Sequence, residues 1–189
     1  MSATGEIEDD DCYVEVFHLR HMALRNALYH SARRGWLDGW NRFYNFVVIL
    51  GGSASATKIV ASGSSADISL GLVIAAVGAS QLVWDFGGRA RTHEFLQRRF
   101  YDLMAEIDLT TQPTRSLCAE WRSKITLAAA DAPPALRALD AIMDNQATAA
   151  LRGAKRPRLQ VRWYQRRLRH IWPFISATFP VVEGWEVDD

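Results

Sequence analysis

Cysteine is sparse in this 189-residue chain and catalytic motifs are lacking, and each scarcity removes a class of function. The two cysteines, Cys12 and Cys118, lie far apart and form no C-x-x-C. They suit a reduced compartment better than a disulfide framework and read as packing residues. Of the five histidines, His18, His21, His30, His93 and His170, only His18 and His21 share a helix face. There is no H-E-x-x-H, and His93-Glu94 lacks a second ligand in register, so no metal site is expected. Gly51-Gly52 and Gly87-Gly88 have neither the Lys-Ser/Thr nor the strand of a phosphate-binding loop. No nucleophile elbow or kinase signature occurs. Asp102, Glu106 and Asp108 read as the solvent face of a charged helix. The expectation is a protein that is not an enzyme, with no catalytic residue and no cofactor. The acidic start (Glu6, Glu8, Asp9, Asp10, Asp11) and the lack of an apolar stretch in the first thirty residues predict no secretory signal.

Net charge is also lacking. A formal +1 provides no global attraction to nucleic acid or acidic substrates, so any electrostatic argument rests on where the charges lie. They lie unevenly. Phe43 to Thr57 and Ile68 to Trp84 carry no charge, whereas elsewhere charges recur every few residues. Both runs fall just short of the roughly 18 to 20 apolar residues that cross a bilayer core. Extended to their polar flanks they become membrane spans of about 43–62 and 67–87. Lys58 then sits near one end, where it reaches headgroups; at mid-bilayer it would cost about 2.5 to 3.5 kcal/mol. Arg25, Arg33, Arg34 and Arg42 precede the first run, and Arg89, Arg91, Arg98 and Arg99 follow the second, while the connection offers only Lys58. The positive-inside rule therefore predicts a multi-pass inner-membrane protein with both termini cytoplasmic and the Gly63-Ser64-Ser65 turn outside. Trp36, Trp40, Phe43, Tyr44, Trp84 and Phe86 form an aromatic belt on the cytoplasmic side. The alternative is a buried hairpin in a soluble helical bundle.

The hairpin is rich in small residues, which let helices approach closely in lipid. Gly51 and Ser55 in the first span and Gly71, Ala75 and Ala79 in the second are the candidate positions for hairpin packing or for an oligomer interface. Ser53, Thr57, Ser80 and Gln81 are candidates for a polar face. Two helices enclose no channel alone, so a pore requires a homo-oligomer.

The remainder is expected to be helical, making the fold class all-α: a two-helix transmembrane hairpin flanked by cytosolic helices. The expected organisation is an N-terminal cytosolic helix at 1–42, the hairpin at 43–87, a cytosolic helical region at 88–150 and a basic, aromatic tail at 151–189. Tyr13, Phe17, Leu24 and Leu28 mark the first helix stripe, and Phe95, Phe100, Leu103, Met104 and Ile107 a later one. After Thr110-Thr111-Gln112-Pro113 a helix over about 114–130 carries Leu117, Trp121, Ile125 and Ala128. Asp131-Ala132-Pro133-Pro134 breaks the chain, with proline placed in the first turn of a helix through Leu136, Leu139, Ile142 and Met143.

In the tail, Arg152, Lys155, Arg156, Arg158, Arg162, Arg166, Arg167 and Arg169 occur with no acidic residue before Glu183, interleaved with Trp163, Tyr164, Ile171, Trp172 and Phe174. On a chain held at the inner face, the expected partner is anionic lipid, each basic residue contributing on the order of 1 kcal/mol. A helix paired with acidic residues elsewhere in the protein is the plainer alternative, and nucleic acid the weaker one.

Tyr29-His30-Ser31-Ala32-Arg33-Arg34, the small-residue hairpin, and Gly88-Arg89-Ala90-Arg91-Thr92-His93-Glu94 running into Phe100-Tyr101-Asp102-Leu103-Met104-Ala105-Glu106-Ile107 together resemble the SLATT family of two-transmembrane effectors, associated with bacterial nucleotide-signalling and SLOG-domain conflict systems. The likeness covers about residues 15–150, including Asp131-Ala132-Pro133-Pro134 and Asn145. It implies a membrane effector that forms or perturbs pores in antiviral defence, causing growth arrest or death, with a separately encoded sensor protein as partner. The basic tail is not expected of every member.

Overall fold

The computed structural model describes residues 3–62, 65–153 and 156–182. Gly63 and Ser64 of the expected turn, and Lys155 of the basic tail, lie outside the described residues, as do the side chains of Ser55 and Lys58. The elements are α1 (Ala3–Ser62), α2 (Ser65–Trp84), α3 (Phe86–Leu109), α4 (Arg115–Ala130), α5 (Arg137–Arg152), β1 (Arg158–Leu159), α6 (Trp163–Leu168) and β2 (Val181–Val182). Among the described residues, strand is confined to the antiparallel pair Arg158–Val182 and Leu159–Val181, which the absence of strand alternation in the sequence does not foretell. The chain divides into two compact units, Arg33–Thr92 and Met1–Ala32 with His93–Asp189.

The discontinuous unit is built on three- and four-residue spacing, which places side chains on one helix face. Cys12, Leu19 and Ala27 of α1, Phe100, Leu103 and Ile107 of α3, and Cys118, Trp121, Ile125 and Ala128 of α4 form one core. Trp121 is fully buried, and its Nε1 donates to Glu106 Oε1 at 3.0 Å. The Lys124 ammonium at 2.7 Å, with that indole N–H, holds the Glu106 carboxyl below its ordinary range. A second cluster joins Tyr29 to Leu139 and Met143 of α5.

Several sequence expectations shift in phase. Tyr13 and Phe95 are exposed, while Ala23 and Leu96 are fully buried. A helix face of small residues brings a neighbouring backbone close and buries as well as a face of large ones, which a search for large apolar residues misses. Pro133 and Pro134 precede α5 instead of lying in its first turn. Leu136 is extended and donates its N–H to the Tyr29 hydroxyl at 2.9 Å, so the helix starts one residue later. At the other end Gly153 adopts φ 89°, a left-handed conformation suited to glycine, and donates to Ala149 O.

The two cysteines, distant in sequence, meet with sulfurs 3.5 Å apart, both buried and free. Burial and the neighbouring Cys12 push the Cys118 thiol up to about 11. The thiolate is the reactive form. Labelling of Cys118 by a thiol reagent at pH 8 is therefore expected to run about a hundredfold slower than for an exposed cysteine, and to match it after unfolding in guanidinium. Equal rates in the folded protein would contradict this burial.

Candidate functional site

The Arg33–Thr92 unit is organised around an antiparallel helix pair. A Cβ built on Gly51 would lie 2.8 Å from Ile74 Cδ1, and one on Gly78 would lie 3.7 Å from Val48 Cγ2. Gln81 Nε2 donates to Asn45 Oδ1 at 2.8 Å and to Asn41 Oδ1 at 3.3 Å. Each contact pairs a later residue of α2 with an earlier one of α1, as antiparallel packing requires. Gly51 is more closely approached than Gly52 or Gly78, and the absence of a side chain lets Ile74 seat there.

Apolar side chains dominate the exposed surface of this unit. Gln81 reaches across to both Asn41 and Asn45; Gln81 and Asn41 are half-buried and Asn45 is exposed. Phe43, Phe46, Ile49 and Leu50 of α1, and Ile68, Leu72, Val73, Leu82 and Val83 of α2, are exposed. Within Ile68–Leu109 an 18-residue window has a mean hydropathy of 1.6 and is 0% buried, so one helix is long and apolar enough to cross a membrane. Monomeric soluble proteins rarely expose so extensive an apolar surface without a partner for it.

All six belt residues come together. Trp36 meets Trp40 at 6.0 Å between ring centroids, Trp40 meets Phe43 at 5.7 Å, and Phe86 lies 6.4 Å from Trp40 and 5.4 Å from Tyr44. Trp84 closes the group against Tyr44 at 6.1 Å, and the Arg33 guanidinium lies 5.2 Å over Trp36. Of the arginines flanking the charge gaps, Arg25 pairs with Asp140, Arg34 with Asp38, Arg98 with Glu94 and Arg99 with Asp131. Among the described residues Arg42, Arg89 and Arg91 make no ion pair, leaving their charges available at this end of the hairpin.

The small-residue positions separate. Gly51 and Gly71 are half-buried, while Ala75 and Ala79 are exposed on the outer surface of α2. Ile74, Gly78 and Gln81 are the residues that face α1, a heptad-like spacing in which only glycine signals close packing. The polar candidates are satisfied within the hairpin: Ser53 donates to Ile49 O, Thr57 to Ser53 O and Ser80 to Val77 O.

The described arginines of the basic tail have varied surroundings. Arg152 lies 4.5 Å over the Phe17 ring, and Arg158, Arg166 and Arg169 line a cavity. Arg156, Arg162, Arg166 and Arg167 are exposed, with Trp163, Ile171, Trp172 and Ile175 exposed in the same segment. Asn145 fixes this segment: its amide donates to Leu159 O at 2.8 Å and its oxygen accepts from Leu159 N at 2.7 Å, substituting for a neighbouring strand.

Sequence reasoning passed over one buried polar pair. His30 and His93 approach at 2.8 Å between Nδ1 atoms, with His30 stacked on Phe100. Burial, and secondarily His93, lowers His30 to about 4. Neutral rings bonded in this way donate one N–H to one bare nitrogen. The pair stands 63 residues apart in sequence, and only the apposition of α1 with α3 makes it visible. Among the described residues no group of three or more potential metal ligands occurs.

Compared with protein-family models, curated proteins and solved structures, the chain matches none.

Proposed function

We propose that this chain is a two-transmembrane effector that oligomerises to form or perturb a pore in the bacterial inner membrane, in the defence setting that the SLATT resemblance implies. α2 and the 43–62 stretch of α1 both cross the bilayer, with both termini cytoplasmic. The observation that carries the reading is the apolar exterior of the hairpin: the exposed residues from Ile68 to Trp84 are apolar apart from Ser69, while the amides of Gln81, Asn41 and Asn45 bond across the helix pair. Such an arrangement is favourable in hydrocarbon, where polar side chains bond across helices, and costly in water. The aromatic cluster and the unpaired Arg42, Arg89 and Arg91 support the orientation, because aromatic rings and arginines anchor the cytoplasmic interface. Ala75 and Ala79, exposed on one chain, supply a small-residue face for a second copy. Arg162 and Arg167, next to exposed Trp163 and Trp172, suit anionic lipid. A separate protein supplies the sensing step.

A passive membrane-anchored adaptor is the second reading. It is favoured by the internal satisfaction of Ser53, Thr57, Ser80 and Gln81, which leaves those polar side chains less suited to line a pore.

Overexpression in bacteria with membrane fractionation and a potential-sensitive dye separates the two. The expected result is membrane recovery with depolarisation, abolished by Gly71→Leu or Ala75→Leu at unchanged insertion. Membrane recovery with an intact potential supports the adaptor. Recovery without detergent in the cytosolic fraction overturns both, and favours a soluble helical protein, with nucleic acid then the partner to test.

A further inference from the structure

Three of the tail arginines converge on a space of their own. Arg158, Arg166 and Arg169 line a cavity of about 550 Å³ bounded by α5, the β1–β2 pair and α6, with Ile142, Ala149 and Val182 as its apolar wall. The volume lies within the range of small-molecule sites, about 300 to 1,000 Å³. Among the described residues no carboxylate lines it. Elsewhere in this unit arginines meet acids directly: Arg20 pairs with Asp108, Arg25 with Asp140 and Arg99 with Asp131. Among the described residues Arg166 and Arg169 have no ion-pair partner. Like charges gathered around one space repel unless an anion joins them.

We propose that this cavity binds a phosphate-bearing anion carrying a small apolar body. The planar guanidinium matches a phosphate through two parallel N–H donors, and several arginines suit a group bearing close to two negative charges. The wall of Ile142, Ala149 and Val182 faces the organic part. Asn145 holds the cavity's shape, since its amide is bonded to β1 on both sides. The inference is independent of the membrane reading of the hairpin, because every lining residue belongs to the other unit. A soluble phosphomonoester and a phospholipid headgroup share this chemistry.

The test is calorimetric titration of the full chain in a neutral detergent with phenyl phosphate, inorganic phosphate and phosphatidylglycerol vesicles, each in turn. Saturable binding of phenyl phosphate is expected, weakened about tenfold by Arg166→Gln or Arg169→Gln and less by Arg166→Lys, which keeps the charge but loses the fork. Arg162→Gln, outside the cavity, leaves it unchanged, and circular dichroism melting confirms that each variant folds. Binding of the vesicles alone, with the same dependence on Arg166 and Arg169, supports the site with a headgroup as its source. No binding of any probe by the folded protein, or binding indifferent to both arginines, overturns the proposal. So does binding that emerges only after Glu183, Glu186, Asp188 and Asp189 are neutralised together, since the cavity's anion is then the chain's own acidic end.

Discussion

Val73→Lys is expected to remove most of the protein from the membrane fraction. Val73 lies mid-way along α2 and is 59% exposed, so in a water-soluble helix a lysine there would change stability by no more than about 0.5 kcal/mol. In a membrane span the same side chain lies too deep to reach headgroups without distorting the bilayer, and insertion loses about 2.5 to 3.5 kcal/mol, on the order of a hundredfold. The measurement is carbonate-washed membrane recovery of the wild type, Val73→Lys and Val73→Leu at matched expression. Loss in the lysine variant alone is the predicted pattern. Equal recovery of all three would place α2 outside the bilayer.

The second large effect is expected on acidification. His30 is 2% exposed, and its folded-state value of about 4 lies below the ordinary 6.5. A base whose folded value is depressed contributes stability that is fully present above its unfolded value and is lost as pH falls toward the folded one. The window therefore runs from about 6.5 down to about 4, and the loss across it is on the order of 3 kcal/mol. Tyr29, His93 and Phe100 are the rings in contact with His30, so no carboxylate among them steadies the imidazolium. Denaturant titrations at pH 7.5 and 4.5 check the difference. His30→Phe can continue the stack on Phe100, whose ring lies 9° from parallel, and should flatten the dependence in this window. It should also cost about 1 to 3 kcal/mol at neutral pH by leaving His93 Nδ1 without its bond. An undiminished dependence in that variant would assign the acid sensitivity to other groups.

These two predictions draw on features of unequal legibility. The all-helical class and the helices around Trp121 and Phe100 follow from periodicity, because α3 and α4 repeat buried residues at three- and four-residue intervals. The aromatic cluster was likewise legible, since turning the chain back on itself returns Trp84 and Phe86 to Trp40 and Tyr44. The continuity of α1 through Ser62 accords with the sequence, in which no proline precedes Pro113. Other features were invisible for physical reasons. Ala23 and Ala27 contribute too little apolar character to mark a core face, yet both are fully buried. The choice between the Ala75 face and the Gly78 face of α2 depends on the rotation of one helix against another, which no spacing encodes. The meetings of Cys12 with Cys118 and of His30 with His93 are properties of helix apposition across long stretches of chain.

One of those stretches determines an order of events during synthesis. The helical unit is assembled from residues before Arg33 and after Thr92, with the apolar hairpin as an insertion between them. A ribosome adding about 5 to 20 residues per second delivers the hairpin before α4 and α5 exist. Until those helices arrive, Ala23 and Ala27 have no complete surface to pack against. The hairpin therefore leaves the ribosome while the other unit is still incomplete, and the closing of Tyr29 onto Leu139 comes near the end of translation. On the membrane reading proposed above, insertion precedes completion of the fold, so a fault in targeting would leave an unfinished helical unit in the cytosol as well as a hairpin without a membrane.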